Sequence, residues 1–332
     1  TSYKSRPTHL AISNEPFAIQ QLWSYRPATG GEFRMKKMLK WVGIILGTVV
    51  VLLAVALGVL LVIGTARANQ EHEIAVTVPA IPTDAEAIQR GQHLANAILF
   101  CGGCHGEKLE GKLEFTIPGL LTVPTPNLTA GAGGVGSFYT DEDWVRAIQH
   151  GVGYDGRALF IMPSQSFSHL SQEDMGALIA YLKSVPPVDS AWPERRIEPM
   201  ARVMMAVGAV PPFAVDQIDH ARPPQAAPEP GANVAYGEYL TRTCTECHGA
   251  ELNGKPFGPP GEEVPSPNLT PGGPLASWTE DDFINTLRTG ITPGGRELRE
   301  DMPWKSFGQM TDEELQAVWL YLQSLPPLAQ GG

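Results

Sequence analysis

The first strong pattern along the chain is an unbroken apolar run. Residues 41–63 hold no charge and no proline, and Thr48 is their only polar side chain. As a helix rising about 1.5 Å per residue, this run reaches roughly 34 Å, enough for a hydrocarbon core of about 30 Å. Beyond it the pattern becomes amphipathic. Leu178, Tyr181, Leu182 and Val185 stand at i, i+3, i+4 and i+7, and Val318, Tyr321, Leu322 and Leu325 repeat that spacing. Ser171-Gln-Glu-Asp174 and Thr311-Asp-Glu-Glu314 supply hydroxyl-x-x-acid starts, and Pro186-Pro187 and Pro326-Pro327 stop both helices. Helices are also predicted over 141–149 and 280–288, each opened by an acidic cluster, and over 85–99 and 235–242. The Gly- and Pro-rich stretches between them show no strand alternation, so the expected fold is all-α.

These elements come in two copies. Cys101-Gly-Gly-Cys104-His105-Gly106 recurs as Cys244-Thr-Glu-Cys247-His248-Gly249, and Val123-Pro-Thr-Pro-Asn127-Leu-Thr129 as Val264-Pro-Ser-Pro-Asn268-Leu-Thr270. Thr140-Asp-Glu-Asp143 answers Thr279-Glu-Asp-Asp282, Met162-Pro163 answers Met302-Pro303, and the terminal helices match. The offset drifts only slightly along the way, so small loop insertions suffice. The expected plan is two tandem domains, 84–188 and 232–328, each of an ordinary domain size. Residues 189–231 join them; 202–210 should form an apolar helical turn or two in the cleft between the domains, and 223–230 an extended spacer. Residues 1–34 show no period and receive no assignment. Met35-Lys36-Lys37 reads as the natural start of a signal-anchor over 35–68.

Charge sharpens this plan. The first 69 residues carry eight Lys or Arg and two acids, leaving 16 basic and 33 acidic side chains for the rest. A body that acidic repels phosphate backbones, so nucleic acid is not an expected partner. Lys36, Lys37 and Lys40 precede the apolar run, and the positive-inside rule then puts the acidic body outside the cytoplasm. A signal peptide cleaved after Ala66-Arg67-Ala68 is the alternative. The run exceeds the usual ~7–15 apolar residues of such peptides, which favours an uncleaved single-pass anchor. Either way the body is exported.

All four cysteines lie in two Cys-x-x-Cys-His sequences, the pattern of covalent c-type haem attachment. Cys101 with Cys104, and Cys244 with Cys247, would reach the two vinyl groups of one porphyrin edge, and His105 or His248 would present an imidazole to the iron. A zinc site would place its cysteine pairs closer together, a redox dithiol would sit in a βαβ unit, and neither they nor a disulfide requires a His after both pairs. A methionine opposite the histidine closes the sixth position and suits electron transfer. Met162 and Met302 occupy matched loop positions before proline and are the candidates, whereas Met175, Met204, Met205 and Met310 have no such match. His150 and His169 lack partners in the second copy and read as surface histidines. Arg157 and Arg296, each after a glycine, could pair with haem propionates. Pro126 and Pro267 could offer a carbonyl to the iron-binding histidine, and Tyr139 and Trp278 align as further packing candidates.

The order Cys-x-x-Cys-His, Pro-Asn-Leu-Thr, acidic helix start, Met-Pro and terminal Tyr-Leu…Pro-Pro resembles the class I cytochrome c domain, in both copies. The tandem form is similar to the cytochrome c subunits of bacterial membrane-bound alcohol, gluconate and aldehyde dehydrogenases. Many of those carry three haems and a C-terminal anchor, whereas this chain has two motifs and an N-terminal apolar run. The resemblance implies two covalently bound haem c groups and no catalytic residues of the chain's own. It implies single-electron transfer on the outer face of the cytoplasmic membrane, in a respiratory or photosynthetic chain. Expected partners are an electron donor (a dehydrogenase or quinol-oxidising complex) and an acceptor such as an oxidase or soluble cytochrome. The alternative function is a dihaem peroxidase, which needs an iron with an open sixth site, while both copies offer a methionine.

Overall fold

A computed structural model describes residues 30–258 and 263–331, and the chain divides into one unit ending at Gly58 and a second from Val59 to Gly332. Of the unassigned segment 1–34, residues 1–29 lie outside the described residues. Helix α1 (Gly30–Ala68) occupies the described part of the first unit and continues into the second. It extends past the 41–63 run at both ends because no proline interrupts it and Met, Lys and Ala favour helix. Its stretch Arg34–Ala68 is long and apolar enough to cross a membrane, with an 18-residue window of mean hydropathy 3.0 in which no residue is buried.

The second unit is largely helical, and the two copies of the repeat build it in parallel. In the first copy, α2 (Ala85–His93) runs into a π-helical turn, Leu94–Ile98, and then α3 (Cys101–His105). α4 (Asp141–His150), the short α5 (Ser164–Phe167) and α6 (Gln172–Ser184) follow. The joining segment carries α7 (Pro199–Ala206) and the single turn α8 (Ala214–Gln217). The second copy answers with α9 (Val234–Thr241), α10 (Thr245–His248), α11 (Glu280–Thr289), α12 (Trp304–Phe307) and α13 (Asp312–Ser324). The acidic clusters work as capping boxes: Thr140 with Asp143, and Thr279 with Asp282, satisfy each other's orphan N–H groups. Thr311 and Glu314 do the same for α13. Ser171 caps α6 alone, because the Asp174 carboxylate is turned to Arg90 instead.

In each copy the first and last helices cross at a glycine. A Cβ on Gly91 would lie 2.0 Å from the Ala177 carbonyl oxygen, and one on Gly237 1.9 Å from that of Ala317. No larger residue permits this approach without moving a helix. The predicted stripes pack at these crossings, with Leu178, Leu182, Val318 and Leu322 buried and Tyr181, Val185, Tyr321 and Leu325 half-buried beside them. A single apolar cluster joins Leu94, Trp144 and Ile179 of the first copy to Tyr236, Leu315 and Trp319 of the second.

The junction between the copies also carries a polar network built from matched positions. Arg90 binds Asp174 of its own copy at 2.9 Å and Glu314 of the other at 3.2 Å. His93 Nε2 lies 2.6 Å from Glu314, and the Tyr239 hydroxyl donates to Asp174 at 2.7 Å. Each copy thus lends a ring from its first helix to the acid that opens the other's last helix. Burial alone would raise the Glu314 pKa, but the His93 and Thr311 hydrogen bonds and the charges of His93 and Arg90 hold it below its ordinary value.

Two expectations need correction. Residues 112–125 do not form a plain loop: β1 (Lys112–Ile117) and β2 (Leu121–Thr125) make an antiparallel hairpin, with β3 (Arg196–Ile197) paired antiparallel to β2. The second copy has only the rudiment, β4 (Pro256–Phe257) against β5 (Val264–Pro265). Lys112-Leu-Glu-Phe-Thr-Ile117 does alternate polar with apolar, and Gly119 takes the positive φ of 75° that the turn requires. The apolar part of the joining segment also goes elsewhere than the cleft between the copies. Its helix α7 starts at Pro199 and packs on the last turns of α1, where the Arg67 guanidinium donates to the Met205 carbonyl at 2.7 Å.

Candidate functional site

Cys101, Cys104 and His105 share the single five-residue helix α3. In the second copy Cys244 ends a 3₁₀ turn, and Cys247 and His248 follow on α10. One or two helical turns therefore present two sulfurs and an imidazole together in each copy. All four cysteines are half-buried and none is in a disulfide. Burial raises the Cys101 and Cys244 thiols to about 12 and Cys247 to about 11. A reactive dithiol needs the opposite shift, toward thiolate, so the redox-dithiol reading does not fit these environments.

The two histidines are oriented identically. His105 Nδ1 lies 2.9 Å from the Pro126 carbonyl, and His248 Nδ1 lies 2.8 Å from the Pro267 carbonyl. Because a carbonyl only accepts, Nδ1 carries the hydrogen and Nε2 keeps its lone pair, the tautomer a metal requires. Burial lowers both histidine pKa values against the opposing pull of those carbonyl bonds, which keeps the rings neutral. No described residue binds either Nε2. Two neutral imidazoles with free Nε2 lone pairs, each beside a pair of unbridged thiols, fit a covalently attached porphyrin iron.

A hydroxyl that the motif reading passed over holds each loop in place. Thr125 Oγ1 lies 2.6 Å from the Cys104 carbonyl and accepts the Lys112 N–H at 3.0 Å. Ser266 Oγ lies 2.6 Å from the Cys247 carbonyl and accepts the Lys255 N–H at 3.0 Å. The signal was present as the Pro-Thr-Pro and Pro-Ser-Pro match. Beside them Asn127 and Asn268 are fully buried. Asn127 donates to the Val188 carbonyl at 2.7 Å and accepts the Thr129 N–H at 2.9 Å, and Asn268 does the same with Leu328 at 2.7 Å and Thr270 at 2.8 Å. These bonds fasten the loop that supplies the Pro carbonyl to the chain following the last helix of each copy.

Met162 and Met302 are half-buried against the apolar cluster. The prolines after them share one conformation, φ −80° and ψ 54° at Pro163, φ −78° and ψ 50° at Pro303, and each opens a short helix. Arg157 and Arg296 lie in equivalent tight loops closed by bridges between Val152 and Ala158 and between Ile291 and Glu297. Arg157 Nε is buried and has no hydrogen-bond acceptor among the described residues, with the Asp155 carboxylate 3.8 Å away, whereas Arg296 is exposed. Tyr139 stacks edge-on against Trp144 at 5.0 Å. His150 and His169 are not surface residues. His150 is half-buried with Nδ1 2.9 Å from His220 Nδ1, and His169 Nε2 lies 3.1 Å from the Tyr239 carbonyl across the junction of the copies. Both are occupied by structural contacts.

The two copies also touch at their functional loops. Gln165 Nε2, just after Met162-Pro163, donates to Glu246 of the second Cys-x-x-Cys-His at 2.8 Å, and the Ser166 hydroxyl binds the same carboxylate.

Comparison with known proteins shows the family. The cytochrome c family model matches residues 88–186 and again 234–326. The chain is 30% identical over 283 residues to the cytochrome c subunit of the quinone-dependent alcohol dehydrogenase of Gluconacetobacter polyoxogenes, covering 74% of this chain and 57% of the relative. It is 30% identical over 279 residues to the gluconate 2-dehydrogenase cytochrome c subunit of Pantoea cypripedii, covering 72% and 59%. A dihaem c-type cytochrome of Cereibacter sphaeroides is 27% identical over 262 residues, covering 69% and 82%. The chain thus spans less than two-thirds of the length of the two dehydrogenase subunits. With both copies matched by the family model, this chain belongs to the cytochrome c family.

Proposed function

We propose that this chain is a membrane-tethered carrier of single electrons with two haem c groups, one in each of two cytochrome c domains over 84–188 and 232–328. When bound, each haem supplies a one-electron ferric–ferrous couple. Cys101 and Cys104, and Cys244 and Cys247, would hold the two groups as thioethers. His105 and His248 would hold the irons through Nε2, and Met162 and Met302 would supply the thioether ligands. The Pro126 and Pro267 carbonyls keep each imidazole in one tautomer and one orientation, so that little rearranges when charge changes. Arg157 and Arg296 place positive charge for the propionates. The single observation that carries this reading is the repeated pair of neutral histidines, each tied at Nδ1 and free at Nε2 beside two unbridged thiols.

The chain acts as the electron-transfer subunit of a dehydrogenase complex and is not itself the catalyst. The relatives are named as cytochrome subunits of such enzymes, which supports a dehydrogenase donor. An oxidase or a soluble cytochrome is the acceptor. Helix α1 crosses the cytoplasmic membrane once, and Lys36, Lys37 and Lys40 before its apolar run favour a body on the outer face. The ligand assignment is tested by the far-red absorption band of a thioether bound to ferric haem. The band should weaken in Met162→Ala and again in Met302→Ala; its full retention in both variants contradicts the assignment.

A further inference from the structure

The joining helix α7 carries an apolar stripe that the proposed electron-transfer role does not use. Ala201 and Met205 are buried and form its inner face. They lie against the end of α1, where Arg202 Nη1 donates to Thr65 Oγ1 at 3.2 Å and a Cβ on Gly64 would lie 1.8 Å from the Arg202 carbonyl oxygen. On another face Met200, Val203, Met204 and Val207 follow one another at i, i+3, i+4 and i+7. The two ends of that stripe are open, with Met200 60% and Val207 61% exposed. Residues 203–215 then continue without a charged side chain.

What α7 is fastened to decides what covers this stripe. Gly64 and Thr65 immediately follow Ile63, the last residue of the apolar run in α1. If that run fills the hydrocarbon layer, its final residue marks the boundary with the headgroups, and α7, fixed beside it, lies at the same depth. The charges around α7 suit that level. Arg67 donates to the Met205 carbonyl, Arg195 to the Ala68 carbonyl at 3.1 Å, and Arg202 to the Ile197 carbonyl at 3.0 Å and Thr65. None of the three makes a salt bridge among the described residues; Arg195 also donates to the Ala158 carbonyl at 3.1 Å and lies over the Phe160 ring at 4.9 Å, which leaves Arg67 and Arg202 as the cations beside the stripe. An apolar stripe flanked by arginines is the composition of a helix lying in the interface plane.

We propose that α7 is a second membrane contact: its Met200–Val207 stripe lies in the headgroup–acyl boundary of the bilayer, while Arg67 and Arg202 face lipid phosphates. The proposal rests on the reading of α1 as a membrane span. Together the two contacts restrict how the haem-bearing body turns about its tether, which a single helix cannot do.

The test uses the full-length, haem-loaded chain in vesicles of phosphatidylethanolamine and phosphatidylglycerol doped with a phospholipid bearing a diazirine on its acyl chain. After illumination, adducts are mapped by mass spectrometry. Adducts in both 41–63 and 199–210 support the proposal. Adducts in 41–63 alone overturn it while the tether stands, and would mark the stripe as a protein-docking face. Adducts in neither overturn the tether and the proposal together. A Met200→Gln, Val207→Glu double variant with an unchanged haem spectrum should lower labelling of 199–210 about fivefold relative to 41–63; unchanged labelling overturns the assignment of the stripe.

Discussion

At the scale of single residues, each copy depends on a few side chains that position its histidine. Asn127 illustrates this. It has no accessible surface, and one amide satisfies two main-chain groups 59 residues apart in the chain. Asn127→Ala leaves the buried Thr129 N–H without its acceptor, while the Val188 carbonyl keeps the Thr129 hydroxyl, and should cost about 1–3 kcal/mol. It also loosens the loop that offers the Pro126 carbonyl to His105. We expect thermal unfolding at a lower temperature together with a shifted haem spectrum in the first copy, while Thr129→Ser, which keeps the hydroxyl, leaves both near wild type. The Cys-x-x-Cys-His and Met-Pro positions stood out because they repeat. Thr125 and Ser266 were not, because a hydroxyl at a matched position announces no partner until the fold brings the Cys104 and Cys247 carbonyls to it.

At the scale of elements, helices with a hydroxyl cap and an apolar period were readable from the sequence, α6 and α13 with their Pro-Pro stops and α4 and α11 with their acidic first turns above all. The β1–β2 hairpin escaped because six alternating residues ahead of a Pro-Gly turn are a weak signal beside the surrounding loops. The histidines escaped for a related reason: their partners come from distant elements, His220 from the joining segment and Tyr239 from α9. Burial, with Arg146 and His220 nearby, brings His150 down to about 4, and burial with Arg242 nearby does the same for His169. Each is lowered from an ordinary 6.5, so the stability gained from holding it neutral is full above pH 6.5 and lost as pH falls toward 4. Denaturant midpoints should therefore decline across that window. A His169→Gln variant should flatten the decline by an amount on the order of 1–2 kcal/mol, allowing for partial solvent screening.

For the whole molecule, the duplication explains more than the presence of two sites. The copies meet through matched positions, with His93 bonded to Glu314 as Tyr239 is bonded to Asp174, and Arg90 spanning both acids. That junction could not be read from the repeat alone, since Arg90 and Tyr236 occupy equivalent positions with unlike chemistry. The same junction brings Gln165 and Ser166, beside one methionine, to Glu246 within the other attachment motif. Two Cys-x-x-Cys-His motifs held in one compact unit would suit passage of an electron from one to the other if haem fills both, as proposed above. The most direct test of that condition is the intact mass of the mature protein under denaturing conditions, measured after treatment with a thiol alkylating reagent. The account predicts a polypeptide heavier by two haems and no alkylation. A bare polypeptide mass with four alkylated cysteines would contradict it.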